Sequence, residues 1–258
     1  MAEISQIQWC DGTWNIARGC TKVDADCKYC YMYRQSLNAT RYKPDQVTKT
    51  KTVFTLPLHY KEIKSSCWDG KPLIFTSSLT DFFHEDIDSF RNEAWDIIRR
   101  CPHLIFQILT KRPERITECL PDDWGEGYDN VWLGTSVGSR KGQIRITELC
   151  LIPTKVRFLS LEPLYELISI AEYLTTGKIH WVIVGGESGN DNGKYRYRKC
   201  NTDWIEIIVN HCQNANVPVF VKQVGTYLSK KLKMKDRHGG DFNEFPEQLK
   251  KRQFPIIK

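Results

Sequence analysis

Residues 104–113 read LIFQILTKRP: an almost continuous apolar run that breaks at once into a hydroxyl, two cations and a proline. A run this short and without alternation suits a parallel strand covered on both faces. Similar runs recur at Leu73-Ile74-Phe75-Thr76, Val131-Trp132-Leu133-Gly134, Val156-Arg157-Phe158-Leu159, Trp181-Val182-Ile183-Val184 and Val217-Pro218-Val219-Phe220-Val221. Amphipathic stretches of helical length near 89–100, 113–119, 143–150, 164–174 and 202–215 lie among them. Strand–helix alternation of this kind implies βαβ units with right-handed crossovers. With one more strand expected before Cys20, the pattern predicts an α/β protein, a (β/α) barrel that is partial or complete. No internal repeat or linker stands out. The expectation is a barrel domain over 1–229, followed by a basic C-terminal appendage over 230–258 that turns at Gly239-Gly240-Asp241.

The strand ends are polar in a way a purely structural barrel would not need. They read Thr76-Ser77-Ser78 leading to Asp81, Thr110-Lys111-Arg112, Thr135-Ser136, Ser160-Leu161-Glu162, Gly185-Gly186-Glu187-Ser188 and Lys222-Gln223. Residues just past parallel strands converge on one rim, where the active sites of barrels sit. Helix capping explains Thr76 and Thr135 equally well. It explains little about Lys111, Arg112, Glu162, Glu187 or Lys222. The carboxylates of Asp81, Glu162 and Glu187 can accept from a ribose diol or an ammonium group. Lys111, Arg112 and Lys222 can pair with a carboxylate or a phosphate. Gly185-Gly186 reads either as a close backbone approach to a ligand or as a tight turn. The catalytic candidates are therefore Glu162, Lys111 and Lys222. The cofactor-binding candidates on the rim are Ser77, Asp81, Ser136, Glu162, Gly185, Gly186 and Glu187.

The chain has 258 residues, 41% of them hydrophobic and 26% charged, which is the composition of an ordinary globular protein. No apolar run approaches the roughly 20 residues that cross a bilayer. The opening MAEISQIQWCDG lacks the features of an export signal. Ten cysteines in that setting point to a reducing, cytoplasmic location, where close spacings mean metal binding or catalysis more than disulfides. The net charge of +6 mildly favours a polyanionic partner. Basic residues cluster at Lys194-Tyr195-Arg196-Tyr197-Arg198-Lys199 and at Lys230-Lys231-Leu232-Lys233-Met234-Lys235. The first cluster interleaves rings with cations, as nucleic-acid surfaces do, although both clusters also read as solvated loops.

Cys20, Cys27 and Cys30 form a C-x6-C-x2-C array. Three thiols at this spacing allow a disulfide staple, a zinc site or an iron–sulfur cluster. Structural zinc needs four ligands. The remaining cysteines are scattered, so Cys10 or a distant histidine such as His84 would have to supply the fourth. A cubane cluster on three thiolates instead leaves one iron open to a small molecule.

With Tyr29 just before the last cysteine, the array resembles the radical S-adenosylmethionine pattern. In that pattern three cysteines lie in a loop after the first strand of a (β/α) barrel. The usual first spacing is C-x3-C, so the loop here is longer. The whole chain is similar to a phage and mobile-element protein family of unassigned function with a three-cysteine, radical SAM-like motif. The similarity rests on Trp14-Asn15 to Cys30, Thr80-Asp81-Phe82-Phe83-His84, Leu109-Thr110-Lys111-Arg112-Pro113, Leu159-Ser160-Leu161-Glu162-Pro163, Val184-Gly185-Gly186-Glu187-Ser188-Gly189 and Phe220-Val221-Lys222-Gln223, and it covers most of 5–245. It implies a barrel of the radical SAM type, with Cys20, Cys27 and Cys30 on a [4Fe–4S] cluster and Tyr29 against the adenine side of S-adenosylmethionine. The implied reaction cleaves that cofactor reductively to a 5′-deoxyadenosyl radical, fed by an electron donor protein. A partner protein encoded nearby is a further expectation.

The glycine-rich element that holds the methionine amine in such enzymes usually follows the second strand. Here the sole Gly-Gly-Glu follows the sixth. The substrate suggested by residues 194–199 is a nucleic acid or nucleotide. Two rival readings stand beside this one: a zinc-dependent nucleic-acid-binding protein or nuclease, and a barrel that keeps its cluster for stability or redox sensing.

Overall fold

Apolar runs become strands in the computed structural model, which describes residues 5–33, 43–60, 63–193 and 195–256. The strands are β1 (Gly12–Trp14), β2 (Ala17–Arg18), β3 (Thr48–Lys49), β4 (Leu73–Thr76), β5 (Ile105–Thr110), β6 (Val131–Ser136), β7 (Val156–Leu161), β8 (Trp181–Gly185) and β9 (Val219–Gln223). In hydrogen-bonded order the large sheet is β1-β4-β5-β6-β7-β8-β9, and β2 and β3 form a separate pair. The pairs β1–β4, β4–β5, β7–β8 and β8–β9 are parallel. Every residue of β4, β6, β7 and β8 is buried, which is why these stretches carry no polar alternation. The α/β class and the parallel sheet are as the sequence predicts.

Contacts divide the chain into two units. The first holds Met1–Val23, Tyr31–Gly134 and Leu151–Lys155; the second holds Asp24–Cys30, Thr135–Cys150 and Val156–Lys258. In the first, Trp14 packs edge-on against Phe54 and Phe106 and donates its indole N–H to Phe54 O. The helix Asp88–Arg100 buries Arg91, Ala94, Trp95 and Ile98, a stripe at helical spacing, and ends on Arg99 and Arg100, where cations suit the helix dipole.

In the second unit, Trp181 packs against Phe158, Phe220 and Phe254. The C-terminal stretch runs back along β9: Val221 N–H donates to Lys251 O, Gln253 N–H donates to Val219 O, and Phe220 and Arg252 form an antiparallel bridge. The stretch predicted as a helix over 164–174 is helical only at Ala171–Thr175. Leu164, Ile168 and Ile170 are fully buried, and the Leu164 N–H donates to Gly185 O, so tertiary packing overrides the local pattern there. Among the described residues no helix is long and apolar enough to cross a membrane.

Candidate functional site

In the first unit, Cys20 follows a forced turn. Gly19 sits at φ +97, and a Cβ there would lie 2.1 Å from Gln46 O, so only glycine fits. The half-buried Cys20 thiol receives the Arg112 guanidinium, Nη1 to Sγ 3.7 Å. Arg112 itself is buried and fixed on several sides. Its Nη1 donates to Asp81 Oδ2 at 3.3 Å, and its Nη2 donates to Thr21 O and Oγ1 at 3.0 and 2.7 Å. Asp81 also accepts from Thr110 Oγ1 at 2.7 Å and from the Lys111 backbone N–H at 3.0 Å. Two predicted candidates, Asp81 and Lys111, are thus adjacent, and the Asp81 carboxylate is committed to Arg112 and Thr110. Ser77 is buried at φ +66, and its hydroxyl has no hydrogen-bond partner among the described residues.

His84 lies on the far side of Thr21, Nε2 to Oγ1 2.9 Å, and its Nδ1 accepts the Asp86 N–H at 3.1 Å. With Nδ1 an acceptor, the ring proton is on Nε2, which donates to Thr21. Burial, and then the Arg112 charge, push the His84 imidazole below its ordinary value. Burial and Arg157 do the same to His180. For a depressed folded-state value the unfolded chain binds more protons, so stability rises with pH. Stability should therefore fall as the pH drops below about 6.5, the value of an unperturbed histidine. Denaturant melts should show that His84→Gln flattens the fall.

In the second unit, Cys27 and Cys30 share one turn, in which the Cys30 N–H donates to Cys27 O at 3.4 Å. Cys27 is buried and Cys30 half-buried. The preceding residues anchor this turn. Asp24 caps Ala25–Cys27 by accepting the Asp26 N–H at 2.8 Å. The fully buried Asp26 carboxylate accepts from Gly138 N–H at 2.9 Å, Ser139 Oγ at 3.2 Å, Arg145 Nη1 at 3.0 Å and the Tyr165 hydroxyl. Arg145 Nη2 donates to Asp24. Burial, and then this hydrogen bond to Asp26, push the Tyr165 phenol up to about 12.

Six of the predicted rim residues also lie in this unit: Ser136, Glu162, Gly185, Gly186, Glu187 and Lys222. Lys222 Nζ donates to Glu162 Oε1 at 2.6 Å, Ser136 Oγ donates to Glu162 O at 3.0 Å, and Gln223 Nε2 donates to Gly186 O at 2.9 Å. A Cβ on Gly186 would meet Val224 O at 2.1 Å, so here Gly185-Gly186 serves a tight approach of β8 and β9. Glu187 is bound by Arg198, whose Nε and Nη2 reach its two oxygens at 2.8 and 2.6 Å. The Arg198 guanidinium lies 3.6 Å from the Tyr165 ring centre and 5.7 Å from that of Tyr29, and its Nη1 donates to Ala25 O at 2.8 Å. The residues that sequence reasoning missed are Asp24, Asp26, Arg145, Tyr165 and Arg198 in its pairing role. The signal was the Asp-x-Asp pair inside the lengthened cysteine spacing.

None of the ten cysteines is disulfide-bonded, which does not support the disulfide alternative. Among the described residues no group of three or more His, Cys, Asp and Glu side chains is gathered for one metal ion. What fold and site define is an α/β protein with a parallel sheet and polar strand ends. The chain belongs to DUF5131, a family described as of unknown function, which it matches over residues 4–250. No curated protein matches it. Among solved structures it is similar to a spore photoproduct lyase mutant with bound AdoMet and dinucleoside spore photoproduct, at 10% identity and a TM-score of 0.45. The similarity covers 82% of this chain and 63% of that one, so the chain spans less than two thirds of that protein's length.

Proposed function

We propose that this protein is a radical S-adenosylmethionine-type enzyme of the (β/α)-barrel kind, with Cys20, Cys27 and Cys30 as the thiolate ligands of a [4Fe–4S] cluster. The observation that carries this reading is three unbridged thiols at C-x6-C-x2-C spacing. The donor chemistry fits, because such clusters are held by cysteine thiolates, and the Arg112 guanidinium donates to the Cys20 sulfur. The chemistry such a group supplies when bound is one-electron cleavage of S-adenosylmethionine, with the electron coming from a donor protein.

The protein's own residues take the other tasks. Tyr29 offers a ring face to the adenine. Lys111 and Lys222 offer charge to the methionine carboxylate or to a substrate phosphate, and Glu162 holds Lys222 for that purpose. Ser77 has a buried hydroxyl ready to accept or donate. Glu187 acts through Arg198, which it orients toward Tyr29 and the cysteine turn.

Anaerobic purification with iron, sulfide and zinc analysis tests the cluster. Incubation with dithionite and S-adenosylmethionine, read as 5′-deoxyadenosine formed, tests the activity. A brown protein that releases deoxyadenosine is the expected result. A colourless zinc protein, or a brown one that never yields deoxyadenosine, overturns the reading.

A further inference from the structure

The two basic clusters lie far apart in sequence, yet they meet in the second unit. Asp191 ties them together: it accepts from Lys230 Nζ and from the Tyr197 hydroxyl, and Lys230 lies 5.6 Å from the centre of the Tyr197 ring. Arg237 Nη2 donates to Asn190 Oδ1 at 2.8 Å, and the Asn190 N–H donates to Tyr195 O at 2.8 Å. Lys194, counted in the first cluster, lies outside the described residues. Arg196, Lys199, Lys231, Lys233 and Lys235 are all exposed, and none has an ion-pair partner among the described residues. The neighbouring carboxylates are already engaged, Asp191 by Lys230, and Asp236 and Glu244 by backbone N–H groups.

This surface reaches the cysteine turn. Arg198 binds Ala25 O and faces Tyr29, and Tyr195 is half-buried. Free cations track a phosphate backbone, and a tyrosine face takes an unpaired base. A lipid surface would call for an amphipathic helix with apolar anchors, whereas these cations sit on loops and on one short helix end, Thr226–Lys231.

We infer that this surface binds single-stranded nucleic acid, with the phosphates on Arg196, Lys199 and the 231–235 lysines and a base on Tyr195. The inference names the substrate class of the proposed enzyme and rests on that reading for any chemistry done on the bound strand.

Fluorescence anisotropy on the full-length, iron-free protein tests it. The probes are a mixed-sequence single-stranded RNA, the matching DNA, the DNA duplex and anionic phospholipid vesicles. The expected result is tightest binding to one or both single strands, with affinity falling as salt rises by a slope of about −0.7 per phosphate contacted. Lys231→Glu with Lys235→Glu should weaken binding at least tenfold and reduce that slope. Tyr195→Ala should weaken it roughly 5- to 100-fold with the slope unchanged, the size expected for one lost base stack. Lys178→Glu, away from the surface in sequence, should change neither. Duplex or vesicle binding as tight as single-strand binding overturns the inference, as does an inert Tyr195→Ala. Because binding is read without iron, its failure leaves the cluster reading standing, and failure of the cluster reading leaves the binding result intact.

Discussion

Replacing Arg145 by methionine is expected to destabilise the second unit by about 3–5 kcal/mol, the range for removing one partner of a buried ion pair. The side chain of Asp26 is wholly buried, and Arg145 is the cation that faces it. Without the guanidinium, Asp26 keeps its Gly138, Ser139 and Tyr165 donors but loses its countercharge, and Asp24 loses its partner as well. Urea unfolding followed by far-UV circular dichroism gives the size of the loss. Adding Asp26→Asn to Arg145→Met should recover part of it, because the penalty lies in the stranded carboxylate. A methionine variant as stable as the parent would mean that the buried pair is not what holds the turn.

The second large effect concerns the thiols. Cys30→Ala should strip the anaerobically purified protein of iron, sulfide and colour, and with them of all deoxyadenosine formation. Cys212→Ala is the matched control. Cys212 is fully buried, with burial holding its thiol in the protonated range, and it lies outside the array. It should keep full iron content at a modest cost in stability. If both variants lose iron equally, the array has no special role. If Cys30→Ala keeps a full complement, the assignment of that sulfur fails.

The strands and the cysteine spacing were legible because each is written in adjacent residues. An apolar run such as Trp181–Val184 needs only its own composition to declare a covered strand, and Cys27 and Cys30 need only three consecutive peptide bonds. The groups that hold these parts in place were not legible. Arg145 meets Asp26 across 119 positions, and Lys222 meets Glu162 across 60. Nothing in a single carboxylate or cation announces which partner it will find. Glu187 and Arg198 are only 11 apart, yet the rim reading left the carboxylate free for a ligand, whereas the Arg198 guanidinium, from the same connection after β8, occupies it. The helix expected over 164–174 failed for a related reason. Its apolar spacing suits a helix, but the same residues can bury themselves one by one against a sheet.

The six residues between Cys20 and Cys27 look like slack in a loop, but they contain its mooring. Asp24 and Asp26 lash the cysteine turn to Arg145, Gly138 and Tyr165 through protein atoms alone. The shape of residues 24–30 is therefore set by contacts with these three residues. A change at Arg145 or Tyr165 therefore reaches Cys27 and Cys30 through these two carboxylates.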